Sequence, residues 1–238
     1  MNCKNCNNEL DSNFCPNCGH PTKLKRIDRL YIIHEIEHVL HFERGILYTI
    51  KELLTNPGQN IRNYLSENRS RLVKPIIFII VTSLIYSLCN YFFHFEDGYV
   101  KYFDNKKSAT TEIFKWVQEH YGYANIIMGV FIALWTRLFF KKHNFNIFEI
   151  LILLCFVMGM GMLIYSVFGI IQALIHIKIM QIAGVIGFIY TSWAVGHFFG
   201  KSNIINYAKA FFAYILGMIS FSLTALLLGS FIEFLIKH

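Results

Sequence analysis

Polar and apolar positions along the chain follow two regimes that meet at Pro75. Before it, apolar residues come in short groups among polar ones. Ile32, Ile36, Val39, Leu40, Ile46, Leu47 and Ile50 recur at helical spacing on one side of residues 23–55. Asn56-Pro57-Gly58 then stops and turns the chain. A shorter amphipathic piece over 61–72 follows, carrying Arg62, Arg69 and Arg71, with Lys74 just beyond. After Pro75 the pattern changes to five long apolar runs, at 76–95, 124–140, 150–174, 179–199 and 210–232. Each is close to the ~20 residues that carry a helix across a ~30 Å hydrocarbon core. Pro75 opens the first run at a position where a helical N–H has no partner in any case.

This pattern predicts an all-α membrane protein. Its five-helix transmembrane bundle, 75–238, is preceded by a cysteine module at 1–22 and a cytoplasmic amphipathic, juxtamembrane helical segment at 23–74. Composition agrees. The 238 residues are 55% hydrophobic and 16% charged, whereas a soluble domain carries about a quarter of its residues as charge. The net charge of +7 reads as the basic inner face of a membrane protein and not as a nucleic-acid binder.

Orientation follows from where Lys and Arg fall. With residues 1–74 inside, the inner segments hold 16, including Arg137, Lys141, Lys142, Lys201 and Lys209. The outer segments hold 6: Lys101, Lys106, Lys107, Lys115, Lys178 and Lys237. The positive-inside rule then predicts an inner (plasma) membrane protein with a cytoplasmic N-terminus and an external C-terminus. The first long apolar run begins only at Ile76, so no signal peptide is expected. The 96–123 loop is the one sizeable external feature. Within it Ile113, Phe114, Trp116, Val117 and Tyr121 are spaced as a short interfacial helix that caps the bundle.

Against this background the four N-terminal cysteines carry chemistry. Cys3 and Cys6, then Cys15 and Cys18, form two Cys-x-x-Cys knuckles. In a reducing compartment they read as metal ligands and not as disulfides. Zinc takes four thiolates at tetrahedral corners about 2.3 Å away, and a filled shell makes the Zn²⁺ structural, not catalytic. A module of ~20 residues has no core of its own and depends on the ion for its fold. The remaining Cys89 and Cys155 sit in apolar runs as small packing residues.

A second pattern, His34-Glu35-Ile36-Glu37-His38, spells the H-E-x-x-H of zinc proteases. A charged Glu37 interrupts it, no third ligand stands at a characteristic spacing, and His34, His38 and His41 lie opposite the apolar stripe. The expectation is a solvated polar face. The five runs lack central Asp, Glu, Lys or Arg, which proton relays and ion paths need. Gly159, Gly161, Gly184 and Gly187 suit close helix packing. The resulting expectation is a non-enzymatic scaffold or sensor. It sits among membrane lipids and recruits a cytoplasmic protein partner through the zinc ribbon. A transporter or channel component, and a metalloprotease using His34, Glu35 and His38, are the alternatives.

Thr49, Leu53, Pro57 and Gly58 form a T-x-x-x-L-x-x-x-P-G segment, followed by Tyr64-Leu65, Arg69 and Pro75. With the cysteine knuckles before it, this stretch resembles an uncharacterised family of bacterial multi-pass membrane proteins, domain of unknown function 3667. Ser66-Glu67-Asn68 stands where that family's pattern has Gly-Lys before the Arg. The resemblance implies a four-cysteine ribbon and several spans, and no established activity.

Overall fold

The computed structural model describes residues 6, 9, 15–17, 45–95 and 108–237. The chain divides into two units, Met1–Glu43 and Arg44–His238. Among the described residues of the second, the regular elements are all helices. Its elements are α1 (Ile46–Thr55), α2 (Pro57–Ser66), α3 (Pro75–Phe93), α4 (Ala109–Glu119), α5 (Tyr121–Phe139), a 3₁₀ turn (Lys141–His143), α6 (Ile147–Ile175), α7 (Met180–Phe199) and α8 (Ile204–Lys237). Five of these, α3, α5, α6, α7 and α8, are long and apolar enough to cross a membrane.

Two spans outrun the apolar stretches that predicted them. α6 has 29 residues and α8 has 34, or about 44 and 51 Å at 1.5 Å per residue. α6 starts early because Asn146 and Glu149 form a capping box. Glu149 N–H donates to Asn146 Oδ1 at 2.9 Å, and Asn146 N–H to Glu149 Oε2 at 2.8 Å. A backbone ladder needs no apolar side chain to propagate, so a helix continues past its membrane-matched segment until a cap or breaker ends it.

α6 is the central helix, packed on α3, α5 and α7, while α8 closes the bundle against α5 and α7. Phe156 of α6 is fully buried between the Tyr64 ring of α2, edge-on at 5.4 Å, and the Phe78 ring of α3 at 5.8 Å. Glycines set the helix spacing, but not all four that the sequence suggested. A Cβ on Gly159 would stand 2.8 Å from the Phe78 ring, so the α3–α6 crossing needs glycine there. Gly161, in contrast, has no atom within 4 Å of its Cβ position. It borders a cavity of about 10 Å³ with Asn125, Tyr165, Gly187, Thr191 and Tyr214, room for about one water. Gly184 and Gly187 make only ordinary contact with Tyr165, at 3.9 and 3.5 Å.

At the end of the bundle remote from α1 and α2, α4 lies against α8. Ser108 donates to the Glu233 carboxylate, and Thr110 presses on Gly229. Nearby Gln172 ties three backbone groups together. Its Nε2 donates to Phe95 C=O at 2.9 Å, and its Oε1 accepts from Ile179 and Met180 N–H at 2.9 and 3.2 Å. A polar side chain in the apolar third run thus satisfies loop backbone at a helix end.

Candidate functional site

The segment from Thr49 to Val73 is built into the end of the bundle. α1 and α2 are separated by Asn56 alone. Pro57 occupies the first position of α2, where its missing N–H costs nothing to that helix. It has a consequence for α1. The carbonyl of Leu53 would ordinarily accept from the N–H four residues on, and that residue is Pro57. Leu53 is itself fully buried. The Tyr190 hydroxyl of α7 donates to that carbonyl at 3.1 Å. The neighbouring Glu52 carbonyl accepts from Asn56 N–H at 3.0 Å and from Asn60 Nδ2 at 2.8 Å.

Gly58 provides the second contact. A Cβ there would lie 2.5 Å from His197 C and Phe198 N, so α2 meets the backbone of α7 directly. Arg62, one turn later, donates from Nε to Phe198 C=O and holds its guanidinium 5.7 Å from the Phe198 ring. Phe198 sits in the last turn of α7, where carbonyls lack helical partners. The positive side chain also meets the negative end of the helix dipole there. The α1–α2 hairpin is therefore the C-terminal cap of α7.

Thr49 and Arg71 fasten the return of the chain to α3. Thr49 Oγ1, fully buried, accepts from Val73 N–H at 3.1 Å. Arg71 pairs with Glu52 at 2.9 Å and donates to Tyr48 OH at 3.2 Å. Burial raises the pKa of the Tyr64 phenol, with Arg69 pulling it the other way. The basic cluster read from sequence is thereby divided. Arg62 and Arg71 are tied to protein groups, while Arg69 and Lys74 are exposed.

Residues 43–87 match the family model described as Protein of unknown function (DUF3667). The matched segment takes in the docked hairpin and the first part of α3. Each member of its T-x-x-x-L-x-x-x-P-G pattern has a stated contact: Thr49 with Val73, Leu53 with Tyr190, and Gly58 with α7, while Pro57 removes the donor that Tyr190 replaces. No curated protein and no solved structure matches the chain.

In the first unit, Cys6 and Cys15 are described. Their Sγ atoms are 3.5 Å apart, far beyond the ~2.05 Å of a disulfide, and Cys15 is buried. Cys3 and Cys18 lie outside the described residues, as do His34, Glu35, His38 and His41. Cys89 and Cys155 are free and half-buried within α3 and α6.

Sequence reasoning missed Tyr190 and the aromatic end of α7. Pro57 by itself announces an orphan carbonyl four residues upstream. Nothing local says that the compensating hydroxyl comes from a residue 137 positions later.

Proposed function

We propose that this chain is a non-catalytic membrane platform, with a cysteine module that binds one structural Zn²⁺ and presents a rigid surface to a cytoplasmic protein partner. The observation that carries the reading is the Cys6–Cys15 separation of 3.5 Å, between one cysteine of each knuckle. Two sulfurs ~2.3 Å from one tetrahedral ion stand about 3.8 Å apart. Cys3 and Cys18 are the remaining ligands of this reading. The ion, once bound, supplies the fold of a module too short to have a core.

The bundle supports a platform in a second way. Its axis is filled by Phe78, Leu153, Phe156 and Phe198, all fully buried, and the hairpin is pinned to α7 by backbone contacts. The membrane is the inner (plasma) membrane, with the cysteine module in the cytoplasm and the C-terminus outside. The basic residues Arg137, Lys141, Lys142, Lys201 and Lys209 favour this orientation.

The test is proximity labelling in cells, with a labelling enzyme fused to the N-terminus of the full chain. Wild type should label a defined set of cytoplasmic proteins, and Cys15→Ser at equal abundance should lose that set. An identical set from both proteins would refute recruitment through the module.

A further inference from the structure

The hairpin end of the bundle holds a buried aromatic stack. The Phe140 and Phe199 rings stack in parallel, centroids 3.8 Å apart at 8°, and Phe198 stands perpendicular to Phe199 at 5.0 Å. Three cationic or ionisable side chains from three elements meet on it. Arg62 of α2 lies 5.7 Å from the Phe198 ring. Lys209 of α8 holds its Nζ 5.8 Å from the Phe140 ring. His143 of the 3₁₀ turn packs edge-on to Phe140 and Phe199, at 5.9 and 5.3 Å.

Among the described residues, neither Arg62 nor Lys209 has a carboxylate within 4.0 Å, and the only protein acceptor of Arg62 takes its Nε. Among the described residues, its two Nη groups have no protein acceptor. Glu149, near the same chain turn, is committed to the capping box of α6. Arg62 and Lys209 therefore both oppose protonation of His143. Burial, then Arg62, then Lys209 lower the pKa of His143. Phe145, packed on Phe198 at 4.8 Å, also lines an open cleft of about 390 Å³ beside Arg137 and Lys141. Orientation of the protein needs basic residues only somewhere at this end. It does not need three of them, from separate elements, gathered around one buried aromatic stack.

We propose that Arg62, His143 and Lys209 form a binding site for a phosphate group, at the junction of the α1–α2 hairpin with α7 and α8. The free guanidinium edge offers the planar fork that suits phosphate oxygens, and Lys209 adds a mobile point charge. The site stands independently of the cysteine module. The bound group is the phosphodiester of an anionic lipid or a free phosphate, and the test separates the two.

The full chain is reconstituted in phosphatidylcholine nanodiscs containing a minor fraction of spin-labelled phosphatidylglycerol or spin-labelled phosphatidylcholine. In parallel, His143 is titrated by NMR in lipid-free detergent with inorganic phosphate. A lipid site enriches phosphatidylglycerol over phosphatidylcholine at the protein, and Lys209→Gln lowers the enrichment about fivefold. His143→Gln lowers it at acid pH. A free-phosphate site instead raises the His143 pKa with millimolar phosphate in detergent, and Lys209→Gln weakens that response. The proposal is overturned if neither probe responds. It is equally overturned if enrichment survives both variants and falls instead with Arg69→Gln or Lys74→Gln. That result means attraction to the membrane surface at large.

Discussion

The hydroxyl of Tyr190 and the carbonyl of Leu53 are 3.1 Å apart and buried. The bond exists because Pro57 has no N–H to give. A proline that ends one helix and opens the next thereby creates a vacancy that a third helix fills, and the hairpin is held to the bundle at that point.

Tyr190→Phe keeps the ring and removes the donor. The Leu53 carbonyl is then buried without a partner, at a cost of about 1–3 kcal/mol. The expected outcome is a lower unfolding midpoint in detergent and faster proteolysis between α1 and α3. A variant as stable as wild type would mean that the carbonyl is satisfied otherwise.

Gly58→Ala places a methyl group 2.5 Å from the backbone of His197 and Phe198. Backbone yields less readily than a side chain, so α2 must move away and Arg62 must leave the Phe198 carbonyl. A larger destabilisation than for Tyr190→Phe is expected. The unfolding midpoint in detergent and the rate of proteolysis between α1 and α3 measure it. Gly161→Ala is the control, since its Cβ position meets nothing within 4 Å.

Purified protein should contain one zinc per chain, and Cys15→Ser should contain markedly less. Elemental analysis after chelator washing decides it. Equal zinc in both proteins would remove Cys15 from the ligand set.

An externally active reporter fused after His238 should be active, and one fused at Met1 should be silent. Reversal of both would invert the protein. A silent C-terminal fusion alone would mean that one of the five apolar helices does not cross.

His143 has a folded-state pKa below its ordinary 6.5. Near and below pH 6.5 the unfolded chain binds the proton more readily than the native one, so stability declines as pH falls through that range. The loss is complete once pH is below the folded-state pKa. Partial burial of the ring is the largest cause, followed by Arg62 and then Lys209, and Lys209→Gln removes the last of these. The His143 pKa should rise toward 6.5 by NMR titration, and the acid-side loss of stability should shrink. An unchanged titration would mean that Lys209 does not face His143.

The sequence alone determined the five apolar helices, because burying a helix in hydrocarbon requires about twenty consecutive apolar residues, and that run is visible without any tertiary context. It also determined the Asn56-Pro57-Gly58 break, since proline and glycine act through the local backbone. Helix ends were read less well. The capping box of Asn146 and Glu149 extended α6 with polar residues that hydropathy discounts. Gly159 and Gly161 look equivalent in sequence, yet one meets the Phe78 ring and the other a small cavity, because only the helix crossing decides which face is pressed.

Tertiary structure alone decided the role of the Thr49–Gly58 segment. Amphipathic spacing showed that one face of it would be covered, and left open by what. Tyr190 and the Phe198 carbonyl that receives Arg62 belong to a helix more than a hundred residues away. The gathering of Arg62, His143 and Lys209 has the same origin. Each is an ordinary basic residue in a helix or a turn, and only the docking of α2 on α7, with α8 packed against α7, brings the three together.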